Sequence, residues 1–425
     1  MEQKKLIRGV RVIDPSQDLD GTADILICGD KIEAVGSFAA PQGCEIFNAD
    51  GLICAPGLVD MHVHLRDPGQ TQKEDVFTGC RAAAAGGVTS LLAMPNTSPA
   101  LDSPETIREL LARAEKADAR VYTAAAITKG LGGHEATDVQ AVRDAGAIAL
   151  SDDGRPVIDT RILAQAMRRA SQLGLMVTAH CEDLFLAAGG KMHEGNISRE
   201  LGVPGIPSAA EDAGTAREIA LAEACGVPVH ICHVSTAVSI AMIRDAKRRG
   251  VAVTAETCPH YFSFTDEALL SRDADFRMNP PLRTAADCSA VIEALFDGTL
   301  DAISTDHAPH TPQEKSDFLS APNGSIGMET SLAASLTVLH HRHGMPLRKI
   351  IALMSCRPAQ LLGISAGTLR PGSNADLILF DPNYRWTVDP GALHGKSRNT
   401  PWKGAELTGR VMLTVCRGKI VFSLL

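Results

Sequence analysis

The chain lacks any run of about eighteen apolar residues, the length a helix needs to cross a bilayer, so no membrane span is expected. No apolar stretch precedes the recurring charges of MEQKKLIRGVRVID, so no secretory leader is expected either. The eleven cysteines include no C-x-x-C pair and lie mostly inside apolar segments. That pattern reads as reduced thiols in a cytoplasmic protein, not a disulfide frame. Basic runs and aromatic–basic stripes are also missing, and the formal net charge is −9 with a pI near 5.9. Non-specific nucleic-acid binding is thereby excluded. No G-x-G-x-x-G follows the first strand-like run of the middle segment, which argues against a doubly wound dinucleotide fold.

What is present is an ordinary globular composition, 45% apolar and 21% charged. At 425 residues the chain is long for one compact domain, so a large domain plus an appendage is expected. Residues 1–56 carry short β-like runs, Leu6–Ile13, Ala23–Cys28, Lys31–Val35 and Gly51–Cys54, separated by turn residues. Residues 366–425 repeat this character. Ala23-Asp24-Ile25-Leu26-Ile27 is like Ala375-Asp376-Leu377-Ile378-Leu379, and Gly29-Asp30-Lys31-Ile32 is like Arg417-Gly418-Lys419-Ile420. The two termini are therefore expected to meet in one small β-sandwich.

Residues 57–365 behave differently. Eight apolar runs read as strands: Gly57–Leu65, Val88–Met94, Arg120–Thr128, Ala147–Leu150, Leu175–His180, Val227–Val234, Val251–Glu256 and Leu300–Thr305. Helical patterns lie between them at Ser103–Lys116, Thr160–Gln172, Ala209–Ala224, Ala237–Arg249 and Ala285–Phe296. Near-continuous apolar strands alternating with helices predict an α/β fold, a (β/α)8 barrel of TIM type with both strand faces buried.

In such a barrel the chemistry sits at the C-terminal strand ends. The first run ends at His62, His64 and Arg66, and two histidines two apart on a strand share a face. The second ends at Asn96, the fourth at Asp153, the fifth at His180, the sixth at His233 and the eighth at Asp306. His62, His64, Asp153, His180, His233 and Asp306 are too many ligands for one tetrahedral zinc with an open position. They suit two ions, with His62, His64 and Asp306 on one, His180 and His233 on the other, and Asp153 as the bridge. A bound ion brings the pKa of its water toward ~7, and Asp306 would shuttle the proton. The remaining histidines, His230, His260 and His307 among them, read as structural.

The order His-x-His, lone His, lone His, Asp on a barrel resembles the amidohydrolase superfamily. Within it, His62-Val63-His64-Leu65-Arg66-Asp67-Pro68-Gly69 with Met94-Pro95-Asn96-Thr97 resembles the dihydroorotase family in its long bacterial, class I form. Ser151-Asp152-Asp153-Gly154, His180-Cys181-Glu182-Asp183 and Thr305-Asp306-His307-Ala308-Pro309-His310 extend the match over nearly the whole chain. The resemblance implies zinc-dependent, reversible cyclisation of N-carbamoyl-L-aspartate to L-dihydroorotate, the third step of pyrimidine synthesis, with one or two zinc ions and two favoured. It implies that His64, Arg66, Asn96 and His310 serve the substrate, with Arg66 on its carboxylate. It also implies that Asn279 contacts the ring and that the backbone of Asn323 and Gly324 lines the site.

Two features depart from the wider pattern. Many relatives bridge their metals with a carbamylated lysine, but no lysine occurs between Lys129 and Lys191, and Asp153 stands there instead. The loop Thr311–Gly324 reads Ala321-Pro322-Asn323-Gly324 where relatives often carry Ala-Pro-Phe-Gly. The rival readings are another cyclic-amide hydrolase (dihydropyrimidinase, hydantoinase or allantoinase) and a non-catalytic scaffold for aspartate carbamoyltransferase. The first usually needs the bridging lysine, and the second loses metal ligands. A homodimer, and association with aspartate carbamoyltransferase, are the protein contacts that exposed helices could support.

Overall fold

The computed structural model describes residues 4–425. Eight parallel strands form the central sheet in chain order: Leu58–Val63, Val88–Ala93, Arg120–Ala125, Ala149–Leu150, Met176–Ala179, Val229–Ile231, Val253–Thr257 and Ala302–Ile303. Every expected strand is found, several of them trimmed at the ends. The first and last meet beyond the eighth strand, where Val63 bridges His307 in parallel and the His64 N–H donates to the His307 carbonyl at 2.9 Å. A buried carboxylate reinforces this seam. Asp60 accepts from the Thr305 N–H at 3.1 Å and the Thr305 hydroxyl at 2.6 Å. The sheet is thus closed into the expected barrel, and closure sets His62 and Asp306 on adjoining strand ends.

The helices begin where local chemistry satisfies their orphan N–H groups. Ser103 caps Pro104–Ala114 with proline at the first turn, and Asp159 caps Thr160–Gln172. Their buried stripes, such as Leu163, Ala166, Met167 and Ala170, join the main core around the barrel. A short insertion follows the fifth strand, pairing Met192–His193 with Gly205–Ile206.

Strands from both termini pair in one second sheet. Its order runs Lys419–Ser423, Glu406–Cys416, Leu377–Thr387, Ile53–Pro56, Lys4–Asp14, Leu19–Cys28 and Lys31–Gly36. Glu45–Asn48 adds to Lys4–Asp14 in parallel, a strand the sequence reading did not anticipate. Alternation explains how this sheet stays attached. Leu377 and Leu379 point into a core of the terminal unit, whereas Ile378 and Phe380 point into the barrel's own core.

Candidate active site

The strand ends converge as expected, and abruptly. Arg66, His233 and Asp306 all have left-handed backbones, with φ of 59°, 38° and 47°. For side chains other than glycine this costs about 1–3 kcal/mol each, and such strain collects where a side chain must be presented at a sharp turn. At Arg66 the chain has already left the extended path, so the side chain does not reach the site by strand alternation. Its guanidinium arrives through the turn and is held by the Pro309 carbonyl at 3.2 Å.

Asp153 lies at the centre. Its Oδ1 is 3.3 Å from His62 Nε2, 3.8 Å from His180 Nδ1 and 3.7 Å from His233 Nε2, while its Oδ2 is 3.5 Å from His64 Nε2. Asp306 Oδ1 stands 3.1 Å from His64 Nε2 and 3.7 Å from His62 Nε2. Two ligand groups result, His62–His64–Asp153 and Asp153–His180–His233, and they share Asp153. The neighbouring Asp152 is spent on structure, accepting from the Ile127 and Thr128 N–H groups at 2.7 and 3.1 Å.

The donor set fits a metal. His62 Nε2 and Asp153 Oδ1 are both buried, face each other, and have no hydrogen-bond partner. Leaving such atoms unpaired is costly, and an ion between them removes that cost. Burial would raise the Asp153 and Asp306 carboxyls, but the surrounding histidines hold both below the ordinary carboxylate range. Both carboxyls are therefore ionised at neutral pH, and Asp306, expected as a third ligand beside His62 and His64, stands next to the ligand groups and belongs to neither.

Three of the four histidines have a polar partner behind them, whereas His233 Nδ1 is buried without one. His64 Nδ1 meets the Asn96 carbonyl oxygen at 2.8 Å, and the Asn96 amide donates to Asp153 Oδ2 at 3.1 Å. His180 Nε2 faces Glu182 at 3.3 Å. His62 Nδ1 faces Glu256 Oε1 at 3.5 Å, and Glu256 also accepts from Ser304. Burial pushes the Glu256 carboxyl up, yet His230 and His62 outweigh it and bring it to about 2. Carboxylates behind metal-binding histidines fix their tautomers. Neither Glu182 nor Glu256 was expected as a site residue; Glu182 lies in the motif His180-Cys181-Glu182-Asp183, and the only signal for Glu256 was a lone acid near the end of an apolar strand. His230, read as structural, supports Glu256.

Above the ligands lies a cavity of about 230 Å³. His64, Arg66, Asn96, Asn279, His310, Asn323 and Gly324, all the expected substrate contacts, line it together with Asp153, His180, His233 and Asp306. Only His62 is absent from the lining, being fully buried beneath it. Burial lowers Arg66 to about 10, which still leaves it charged, and burial with the Arg66 and Lys73 cations keeps the His310 ring neutral. Glycine is required at Gly324, where φ is 128° and a Cβ would fall 2.6 Å from the Ala308 Cβ.

The loop over this cavity is pinned. The Arg277 guanidinium donates to the carbonyls of Phe318 and Leu319 at 2.7 and 3.2 Å and to Asn323 Oδ1 at 3.1 Å. Asn323 thus reaches back to Arg277 in place of an apolar lid contact. Charged hydrogen bonds are worth about 1.5–3 kcal/mol, so Arg277→Gln is expected to speed hydrogen exchange of residues 311–324 by about 10–100-fold. Unchanged exchange there would show that the loop is held by other contacts.

A family described as Dihydro-orotase-like matches residues 51–239, and one described as Amidohydrolase family matches residues 200–422. A dihydroorotase of Geobacter sulfurreducens is 50% identical over 422 residues, covering 98% of this chain and 99% of its own length. One of Citrifermentans bemidjiense is 47% identical over 420 residues, with the same two shares. The chain belongs to the dihydroorotase family. Among solved structures, an L-hydantoinase (dihydropyrimidinase) of Arthrobacter aurescens superposes with a TM-score of 0.89 at 25% identity, covering all of this chain and 96% of its own. The dihydropyrimidinase of Brevibacillus agri gives 0.87 at 27% identity, covering 99% and 95%. The dihydroorotase family shares its barrel and terminal sheet with these cyclic-amide hydrolases. Sequence separates it from them far more sharply than shape does.

Proposed function

We propose that this chain catalyses the reversible cyclisation of N-carbamoyl-L-aspartate to L-dihydroorotate with loss of water, as a zinc enzyme with two ions that share Asp153. The observation that carries this reading is the buried, charged Arg66 beside His310 on the wall of a cavity floored by two ligand groups. Dihydroorotate has a carboxylate for that guanidinium, and dihydrouracil and hydantoin have none.

Zinc bound at the ligand groups supplies Lewis-acid polarisation and acidifies water. The chain's own residues do the rest. Arg66 anchors the substrate carboxylate, the second Asn96 amide hydrogen can donate to it, and neutral His310, whose ring N–H is turned to the Asn323 carbonyl at 2.9 Å, packs beside the guanidinium while His64 borders the reacting carbonyl. Asn279 and the backbone of Asn323 and Gly324 hold the ring. In ring opening, Asp306 accepts the proton of the attacking water and delivers it to the leaving amide nitrogen. In ring closure the ureido nitrogen attacks the side-chain carboxyl carbon and gives its proton to Asp306. That proton, with one from solvent, leaves on the departing oxygen as water.

No helix among the described residues is long and apolar enough to cross a membrane. None of the eleven cysteines is in a disulfide, in keeping with the reduced thiols of a cytoplasmic setting. The exposed apolar side chains Ile158, Phe185 and Leu186 support a protein contact, either a homodimer or aspartate carbamoyltransferase. Purified, metal-loaded protein is expected to turn over dihydroorotate and carbamoyl aspartate far faster than dihydrouracil or hydantoin. The reverse preference would sink the assignment.

A further inference from the structure

Asn279 stands on the cavity wall with its amide committed in one direction. Its Nδ2 is 3.1 Å from Glu182 Oε1 and 3.2 Å from Oε2. A carboxylate only accepts, so the NH2 must face Glu182. Turning the amide over would set Oδ1 against two anionic oxygens. Oδ1 therefore faces away from Glu182, and it makes no hydrogen bond among the described residues.

Glu182 cannot easily yield. Its residue is nine-tenths buried, and Oε2 also lies 3.3 Å from His180 Nε2, whose Nδ1 is turned to Asp153 and His233. Asn279 is fixed from the other side as well. Two prolines follow it, the Pro280 carbonyl accepts from the Tyr261 hydroxyl at 2.6 Å, and Arg277 ties the preceding segment to the loop.

We propose that Glu182 is a positioning residue that sets the polarity of the substrate wall: it presents the Asn279 carbonyl oxygen to the cavity, so the site selects a ring bearing N–H at that edge. This rests on the cyclic-amide reading above and sharpens it. Arg66 supplies donors for a carboxylate, and Asn279 supplies an acceptor for a ring N–H. A ring with an ether oxygen at that edge would place two acceptors face to face, with no partner for either.

The test compares two cyclic carboxylates of the same shape, one with the ring N–H and one with oxygen in its place. Their affinities for the metal-loaded, full-length protein are measured by calorimetry. Wild type is expected to bind the N–H compound about 10–100-fold more tightly, the cost of an unpaired buried polar group. Glu182→Gln lets the Asn279 amide adopt either orientation, and the ratio is expected to fall to within about threefold, with metal content measured alongside. Asn279→Ala removes the acceptor and must collapse the ratio too. A wild-type ratio near one, or a ratio that survives either substitution in metal-loaded protein, overturns the proposal. Because the readout is binding, protein that failed to turn over dihydroorotate would contradict the activity and leave this inference to be decided by the ratio.

Discussion

Replacing Asp306 with asparagine is expected to lower dihydroorotate turnover by about 10²–10⁴-fold, the range that a positioned proton-transfer group contributes. The geometry makes the effect specific to proton transfer. Asp306 Oδ1 reaches His64 Nε2 at 3.1 Å, and its carboxyl stays ionised because His64 and His62 outweigh the cost of burial. Asparagine keeps an oxygen at the same place and the same volume, but it cannot take up a proton at neutral pH. Asp60 is untouched, so the seam between the first and eighth strands should persist. Metal content should therefore stay near the wild-type value while kcat falls. Near-normal kcat would remove Asp306 from the shuttle role, and loss of metal in parallel with kcat would make it chiefly a ligand.

Asp153→Ala is expected to be worse in a different way. All four site histidines lie within 3.3–3.8 Å of this one carboxylate. Removing it strips the anion from both ligand groups at once and leaves the imidazoles to compensate one another. Residues that merely support a ligand cost about 10–100-fold in metal affinity, and losing the shared ligand should exceed that. Dialysed Asp153→Ala protein, analysed for bound metal, is expected to hold less than one ion per chain and to lack measurable turnover. Two retained ions would show that Asp153 is not shared between them.

Much of this arrangement is legible in the sequence because a barrel sends every strand end to one rim. Once the eight apolar runs are placed, His62, His64, Asp153, His180, His233 and Asp306 have nowhere else to converge. What the sequence hides is pairing between distant strands. Asp152 and Asp153 are adjacent acids, and only the Ile127 and Thr128 N–H groups decide which one is structural. Glu182 and Glu256 acquire their roles from His180 and His62, and the second pair is far apart along the chain. Arg277 and Asn323 meet across 46 positions. Glu45–Asn48 is short and largely exposed, with no pattern of its own, and its strand character comes from Lys5–Arg8 beside it. The left-handed turn at Arg66 has the same origin, since an extended continuation of the first strand is what local pattern suggests.

Substrate choice turns on a carboxylate recognised by Arg66 above a ligand cluster that holds metal without it. The measurement that tests this most directly is the ratio of kcat/KM for dihydroorotate to that for dihydrouracil, in wild type and in Arg66→Ala, each with metal content determined. Charged hydrogen bonds of about 1.5–3 kcal/mol predict that the wild-type preference for dihydroorotate falls by about 10–150-fold in the variant, through dihydroorotate alone and with metal retained. An unchanged ratio, or equal losses on both substrates, would contradict it.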